Sequence, residues 1–214
     1  MNQINHLYNK EACVEGIQQA INAEKQGANR IELCARLDLD GLTPDIERIK
    51  EVTTKCNIPV RVIVRPREGN FNYSETEFQS MKQAIETCKA LGVEGVVFGI
   101  TTLNNKMDIK RTQLLVELTQ PMKVTIHKAI DAIDNPVETI KELIKIDGID
   151  TILTSGKGQT WQEGQELILQ MMKAAAGSHL EIMPCGGITQ HNLCEAHYMF
   201  KAKAYHGKLI VGTL

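Results

Sequence analysis

One short unit recurs eight times along the chain, a β-rich run of four to six residues followed by a stretch with helical period, and only the last copy lacks its helical half. The runs fall at residues 11 to 15 (EACVE), 30 to 34 (RIELC), 60 to 65 (VRVIVR), 95 to 99 (GVVFG), 123 to 127 (KVTIH), 150 to 154 (DTILT), 180 to 184 (LEIMP) and 203 to 206 (KAYH). Three helix starts can be placed by residue. Thr43 stands as N-cap before Pro44 at the first helical position, with Ile46, Ile49 and Val52 behind it. Ser74-Glu75-Thr76-Glu77 is a capping box ahead of Phe78, Met81, Ile85 and Cys88. Asn135-Pro136 opens a helix carrying Val137, Ile140, Leu143 and Ile144. Helical period also runs over about 16 to 27, 108 to 118, 162 to 176 and 189 to 200, and Gly27, Gly92 and Gly148 sit where a helix stops and the next strand begins. Strands alternating with helices pair in parallel through right-handed crossovers. The expected fold is therefore α/β, a (β/α)8 TIM barrel whose last helix is missing or very short, with a doubly wound open sheet as the alternative. No Pro/Gly/Ser linker or low-complexity stretch interrupts the 214 residues, so residues 1–214 read as one domain.

Charge and composition narrow the partners. Twenty-four Lys and Arg against 26 Asp and Glu leave a formal charge of -2, which argues against a counterion-release grip on nucleic acid or on an anionic membrane. Four Phe, four Tyr and one Trp leave little for stacking bases or sugars, so a small polar ligand is the better expectation. The six cysteines are irregularly spaced with no CxxC pair, which fits a reducing cytosol. The opening MNQINHLYNKEA has neither the basic start nor the apolar stretch of a signal peptide, and no apolar run is long enough for a membrane span. The expected location is cytoplasmic.

In a barrel each strand turns one parity towards the helices, which must be apolar, and the other towards the lumen. That assigns Glu11 and Cys13 to the inside of the first strand, Arg30, Glu32 and Cys34 to the second, Arg61, Ile63 and Arg65 to the third, and Thr125 and His127 to the fifth. The sixth and seventh strands alternate too weakly to assign. The lumen so read is charged rather than aliphatic. Glu32, Arg65 and His127 in one layer must pair with each other, with water or with a ligand, because an unpaired buried ion costs several kcal/mol. Barrel active sites lie at the C-terminal ends of the strands, which gathers Cys34, Arg65, Arg67, His127, Ser155, Gly186, Gly187 and His206 around one mouth.

The strings RIELCARLDLDGLTP, VIVRPREGNFNYS, GVEGVVFGI, VTIHKAID, ILTSG, IMPCGGIT and YHG, in that order, closely resemble the CutC family, over about residues 11 to 207. The resemblance implies a (β/α)8 barrel in a cytosolic protein associated with copper handling and copper binding, a homodimer or higher homo-oligomer. It also implies that the family's Cu(I) cysteines fall on Cys13 and Cys34. Departures stand at Lys128, where Arg is usual, Ile130 for Phe, Arg36 for a small or amide residue, and Glu68 and Leu42 for Gly. Lys128 gives up a bidentate fork, and Arg36 adds charge at the mouth.

Two chemistries follow. Thiols on adjacent parallel strands lie ~5 Å apart, within reach of a soft, low-coordinate Cu(I), although buried cysteine is also an ordinary packing residue. Cys56 and Cys88 read as helix-core packing, and Cys185 beside Gly186-Gly187 as a reactive thiol if a ligand or dipole lowers its pKa. His191-x2-Cys194-x2-His197 winds around a helix too far for all three to meet one ion, and His6 and His179 read as surface residues. The alternative is a lyase, isomerase or hydrolase acting on a small phosphate or carboxylate. There Arg65 and Arg67, flanking Pro66, clamp the anion, His127 is the general acid or base, and Glu32 or Asp131 orients its ring. Ser155, Gly186, Gly187 and His206 complete the anion site at a helix N-terminus. No Walker A or GxGxxG pattern is present, so nucleotide cofactors gain no support.

Overall fold

The computed structural model describes residues 8–214; His6 lies outside the described residues. In chain order the elements are β1 (Asn9–Val14), α1 (Ile17–Lys25), β2 (Arg30–Leu33), α2 (Ile46–Lys55), β3 (Val60–Ile63), α3 (Glu75–Ala90), β4 (Gly95–Phe98), α4 (Ile109–Thr119), β5 (Lys123–Ile126), α5 (Pro136–Leu143), β6 (Ile149–Thr154), α6 (Trp161–Ala175), β7 (Glu181–Pro184), α7 (Leu193–Phe200) and β8 (Ala204–Gly207). The strands are all parallel, in the order β7-β6-β5-β4-β3-β2-β1-β8. β8 returns to pair with β1, and it lies beside β7 without a ladder between them; a Thr189–Leu209 bridge stands just beyond the gap. The sheet thus closes on itself as a (β/α)8 TIM barrel, which disposes of the open doubly wound arrangement. Among the described residues no helix follows β8.

On β2, β3 and β5 the outward parity is apolar. Ile31 and Leu33, Val62 and Val64, and Val124 and Ile126 are fully buried in one core with Ile49 and Val52 of α2 and with Phe78, Met81, Ile85 and Cys88 of α3. Each such side chain contributes about 1.5–3 kcal/mol by leaving water. Ser74 and Glu77 close the capping box of α3, and Pro136 takes the first turn of α5. Gly27, Gly92 and Gly148 are left-handed, at φ +88, +70 and +108, as helix-to-strand turns require.

Three local expectations are corrected. Asp45, not Thr43, caps α2 by accepting from the Arg48 N–H, while the Thr43 hydroxyl accepts from the Arg65 N–H at 2.8 Å and ties this loop to the end of β3. Cys56 is the half-buried residue after α2 rather than a helix-core position. α7 starts at Leu193 instead of 189, because Thr189 donates its N–H to Asn192 Oδ1 and bridges to Leu209, so the stretch from Gly186 to Asn192 is a connecting loop. The sixth and seventh strands resist a reading from alternation because each carries hydrocarbon on both faces, with polar residues on both parities of β6. Leu153, Met183 and Cys185 form a second buried cluster with Ala204, separate from the one under the helices.

Candidate functional site

At the N-terminal end of the barrel, Arg61 projects inward from β3 and is 2% exposed. All five of its N–H donors are placed. Nε donates to Glu94 at 2.7 Å, Nη1 to the Thr125 and Thr151 hydroxyls at 2.6 and 3.3 Å, and Nη2 to Glu94 and Asp150 at 3.3 and 2.7 Å. Burial opposes the charge, but Glu94 and Asp150 hold the guanidinium ionised. This floor has no capacity left for a ligand.

One layer higher, the register of the parallel ladders does the assembling. Glu11 faces Arg30 on β2 and His206 on β8, and Cys13 faces Glu32. Arg30 Nε pairs with Glu11, and His206 Nδ1 lies 2.8 Å from the other Glu11 oxygen. His206 Nε2 stands 3.7 Å from Glu32 Oε2, which also accepts from Cys13 Sγ at 3.2 Å. Cys13 Sγ and Cys34 Sγ are 3.7 Å apart, and Cys34 Sγ donates to the Val14 carbonyl at 3.4 Å. Burial would raise Glu11, but Arg30 and His206 hold its carboxyl well below the usual range. Burial pushes Glu32 up, with Glu11 adding to the rise and His206 opposing it. Burial opposes a charge on His206 too, yet Glu32 and Glu11 raise it above an ordinary histidine. Cys13 is pushed well up by its bond to Cys34, by burial and by the Glu32 charge, so its thiol keeps its proton unless a cation arrives. Among the described residues, Cys13, Glu32 and His206 are the one His/Cys/carboxylate group with atoms close enough to share an ion, all within 4.8 Å of one another.

The mouth opens above this layer as a cavity of about 800 Å³, whose wall includes Cys13, Glu32, Arg65, Phe71, His127 and Gly187. His127 follows β5. Its Nδ1 accepts the Ala129 N–H at 3.1 Å, and burial, then the Arg65 charge, hold its pKa down at about 3. A neutral ring whose Nδ1 accepts must carry its proton on Nε2. Among the described residues, neither that buried Nε2–H nor the buried Glu32 Oε1 has a partner. The close approach of β4 makes room for the ring: a Cβ on Gly99 would come 2.7 Å from His127 Nδ1 and 2.6 Å from the Ala129 methyl.

The CutC family model matches residues 8–208. The chain is 39% identical over 199 residues to the family protein CutC of Parabacteroides distasonis, covering 92% of this chain and 80% of that one. It belongs to the CutC family. The human copper homeostasis protein cutC homolog is 38% identical over 183 residues, 86% of this chain, which spans 66% of the length of that relative. The crystal structure of the copper homeostasis protein CutC from Streptococcus agalactiae superposes with a TM-score of 0.89 at 30% identity, covering 95% of this chain and 99% of that one.

Within this CutC barrel the residues read from the sequence divide. Cys13, Glu32, Arg65, His127, Asp131, Gly186, Gly187 and His206 do meet around the one cavity, and Cys34 lies behind Cys13. Their pairings differ from those expected. Glu32, Arg65 and His127 do not bond one another, because Glu32 is taken by Cys13 and His206, and Arg65 donates to the carbonyls of Leu39, Gly41 and Gly69. Neither Glu32 nor Asp131 orients His127; the Ala129 amide does so, and Asp131 accepts instead from Thr154, Ser155 and the Lys157 N–H. Arg67 is outside the cavity, spent on Glu77, Asn70 and Asn72, so the expected two-arginine clamp does not form. Ser155 is turned into the wall, its hydroxyl 2.8 Å from the Gly158 carbonyl, to which it donates, and 3.2 Å from Asp131 Oδ2. Burial, then the Asp131 charge, drive the Cys185 thiol up, so it is no activated nucleophile. His191 and Cys194 are exposed while His197 Nδ1 lies 3.0 Å from the Tyr205 hydroxyl, so that trio does not converge; His179 is exposed. Lys128 stands on the cavity rim with Lys208 and Asp40, two residues that parity could not find because they lie in loops. The carboxylates that saturate Arg61 were missed too: Glu94 precedes its strand, and Asp150 has outward parity.

Proposed function

We propose that this protein takes part in copper homeostasis in the cytosol by binding Cu(I) through Cys13 and Cys34, residues 1–214 acting as one domain. The observation that supports it best is the 3.7 Å separation of the two sulfurs, inside the span of two metal–sulfur bonds of about 2.3 Å each. The donor set fits a soft monovalent ion. Two thiols lie at the core, with the Glu32 carboxylate and the His206 imidazole at its edge, and Glu32 Oε1 is buried without a partner. The electrostatics fit as well, since Cys13, Glu32 and Glu11 form an acidic group that keeps its thiol proton until a cation replaces it. Six free cysteines accord with a reducing compartment. Bound copper would be cargo here, with Cys13 reached from the cavity and Cys34 behind it. The test is an anaerobic Cu(I) titration against a competing chelator. Cys13→Ser with Cys34→Ser is expected to weaken binding at least a hundredfold; an unchanged affinity in that double variant refutes these ligands.

A further inference from the structure

The copper layer occupies one edge of a cavity of about 800 Å³, within the range that holds a small organic molecule and far more than an ion needs. Two features of its wall are unexplained by a metal. The first is the His127 Nε2–H, a donor 5% exposed at the residue level, fixed in its tautomer by the Ala129 amide and lacking an acceptor among the described residues. An unmet buried donor costs about 1–3 kcal/mol, which a ligand oxygen would recover. The second is Arg65, also 5% exposed, whose Nη hydrogen bonds all go to backbone carbonyls, which do not cancel its charge, and whose Nε is buried without a partner among the described residues. The two are neighbours, joined by Phe71, whose ring centroid is 4.8 Å from the imidazole centroid and 5.2 Å from the Arg65 guanidinium carbon.

We propose that this cavity binds a small organic monocarboxylate, one oxygen accepting from His127 Nε2–H beside the Arg65 charge, with the half-buried Phe71 ring moving aside to admit it. The charge count selects a monoanion. Among the described residues of the wall, Arg65 and His206 are the deep basic groups, and His206 is already paired with Glu11 and Glu32; Lys128, Lys208 and Asp40 are exposed at the rim, and Glu32 and Asp131 line the same space. A phosphate dianion would meet Glu32 and Asp131 with Arg65 as the one deep positive charge not already paired to a carboxylate. The neutral imidazole donates to an anionic oxygen without surrendering a proton to it. The apolar part of the wall, Ile63, Leu153 and Ile188, suits the carbon skeleton of such a molecule. The site does not require the metal.

The experiment follows ¹⁵N-labelled histidine by NMR, with calorimetry, on the whole protein at constant ionic strength. Acetate, glycolate and pyruvate are each added to 10 mM, and inorganic phosphate serves as the dianionic control. At least one monocarboxylate is expected to bind in the millimolar range or tighter and to shift the His127 Nε2–H signal, more strongly than phosphate does. His127→Phe is expected to lose at least tenfold in affinity, while His127→Gln, which keeps an N–H donor, retains most of it. Carboxylate binding is measured on copper-free protein and Cu(I) affinity in its own titration, so failure of the copper reading and failure of this one are distinguishable. No binding by any of the three acids, binding equal in His127→Phe, or phosphate binding as tightly as the best acid would each overturn the proposal.

Discussion

The floor and the mouth of the barrel are built from the same strands and the same kinds of residue, yet they close differently. At the floor Arg61 is buried with two carboxylates and two hydroxyls, and all five donors are used. At the mouth Glu32 and His127 are equally buried, but Glu32 Oε1 and His127 Nε2 are left without partners, both on residues that face an open volume. A saturated ionic cluster is complete and can only support structure, whereas an unsaturated one has been left ready for something that is not part of the chain.

The largest effect should come from the floor. Arg61→Ala removes the counter-charge of Glu94 and Asp150, which are 31% and 27% exposed, and leaves the Thr125 and Thr151 hydroxyls buried without their donor. Because both carboxylates keep partial access to water, the loss should be on the order of 2–3 kcal/mol, below the about 3–5 kcal/mol of a fully buried pair and still a large share of the stability of a typical domain. Urea unfolding should show that loss, while Cu(I) affinity measured below the transition should be unchanged. A cost below about 1 kcal/mol would mean that the floor is no tighter than the mouth.

How much of this was legible in the sequence follows from the same contrast. Where one face of a strand is apolar and the other ionic, as in β1, β2, β3 and β5, parity alone placed Glu11, Cys13, Glu32, Arg61 and His127 inside, and the structure has them buried in the lumen. In β6 and β7 hydrocarbon lies on both faces, so no alternation survives to be read. The pairings were harder still. Nothing in the spacing of Arg65 and Arg67 announces that one is absorbed by loop carbonyls and the other by Glu77, since both outcomes depend on loop paths rather than on strand period. His206 was legible as a mouth residue, but its seat between Glu11 and Glu32 is a product of the ladder closing β8 onto β1.

Acid should expose the second difference. His127 has a folded pKa of about 3 against an ordinary value of 6.5, so between those values the unfolded chain binds a proton that the folded one refuses. Stability therefore falls as pH falls, and for one such group the loss between pH 7 and pH 5 is about 2 kcal/mol. His127→Gln removes the titrating group and should flatten the urea-derived stability over that window by about the same amount. Arg61 stays charged throughout the window and contributes no such slope. A variant with the same slope as the wild type would show that the ring is already protonated in the fold, contrary to a neutral donor at the mouth.

The smallest effect is expected at Glu32, and it is the sharpest discriminator. Glu32→Gln keeps the shape and an acceptor for the Cys13 thiol but removes a carboxylate that burial and the neighbouring Glu11 already disfavour, losing in exchange its attraction to His206. These contributions oppose one another, so the net change in unfolding free energy should stay within about 1 kcal/mol at neutral pH. Cu(I) affinity should nonetheless fall, because a potential ligand and its negative charge have gone from beside the two sulfurs. A variant that loses stability like Arg61→Ala while holding copper as before would make Glu32 a second structural keystone, and the mouth would then be merely another floor.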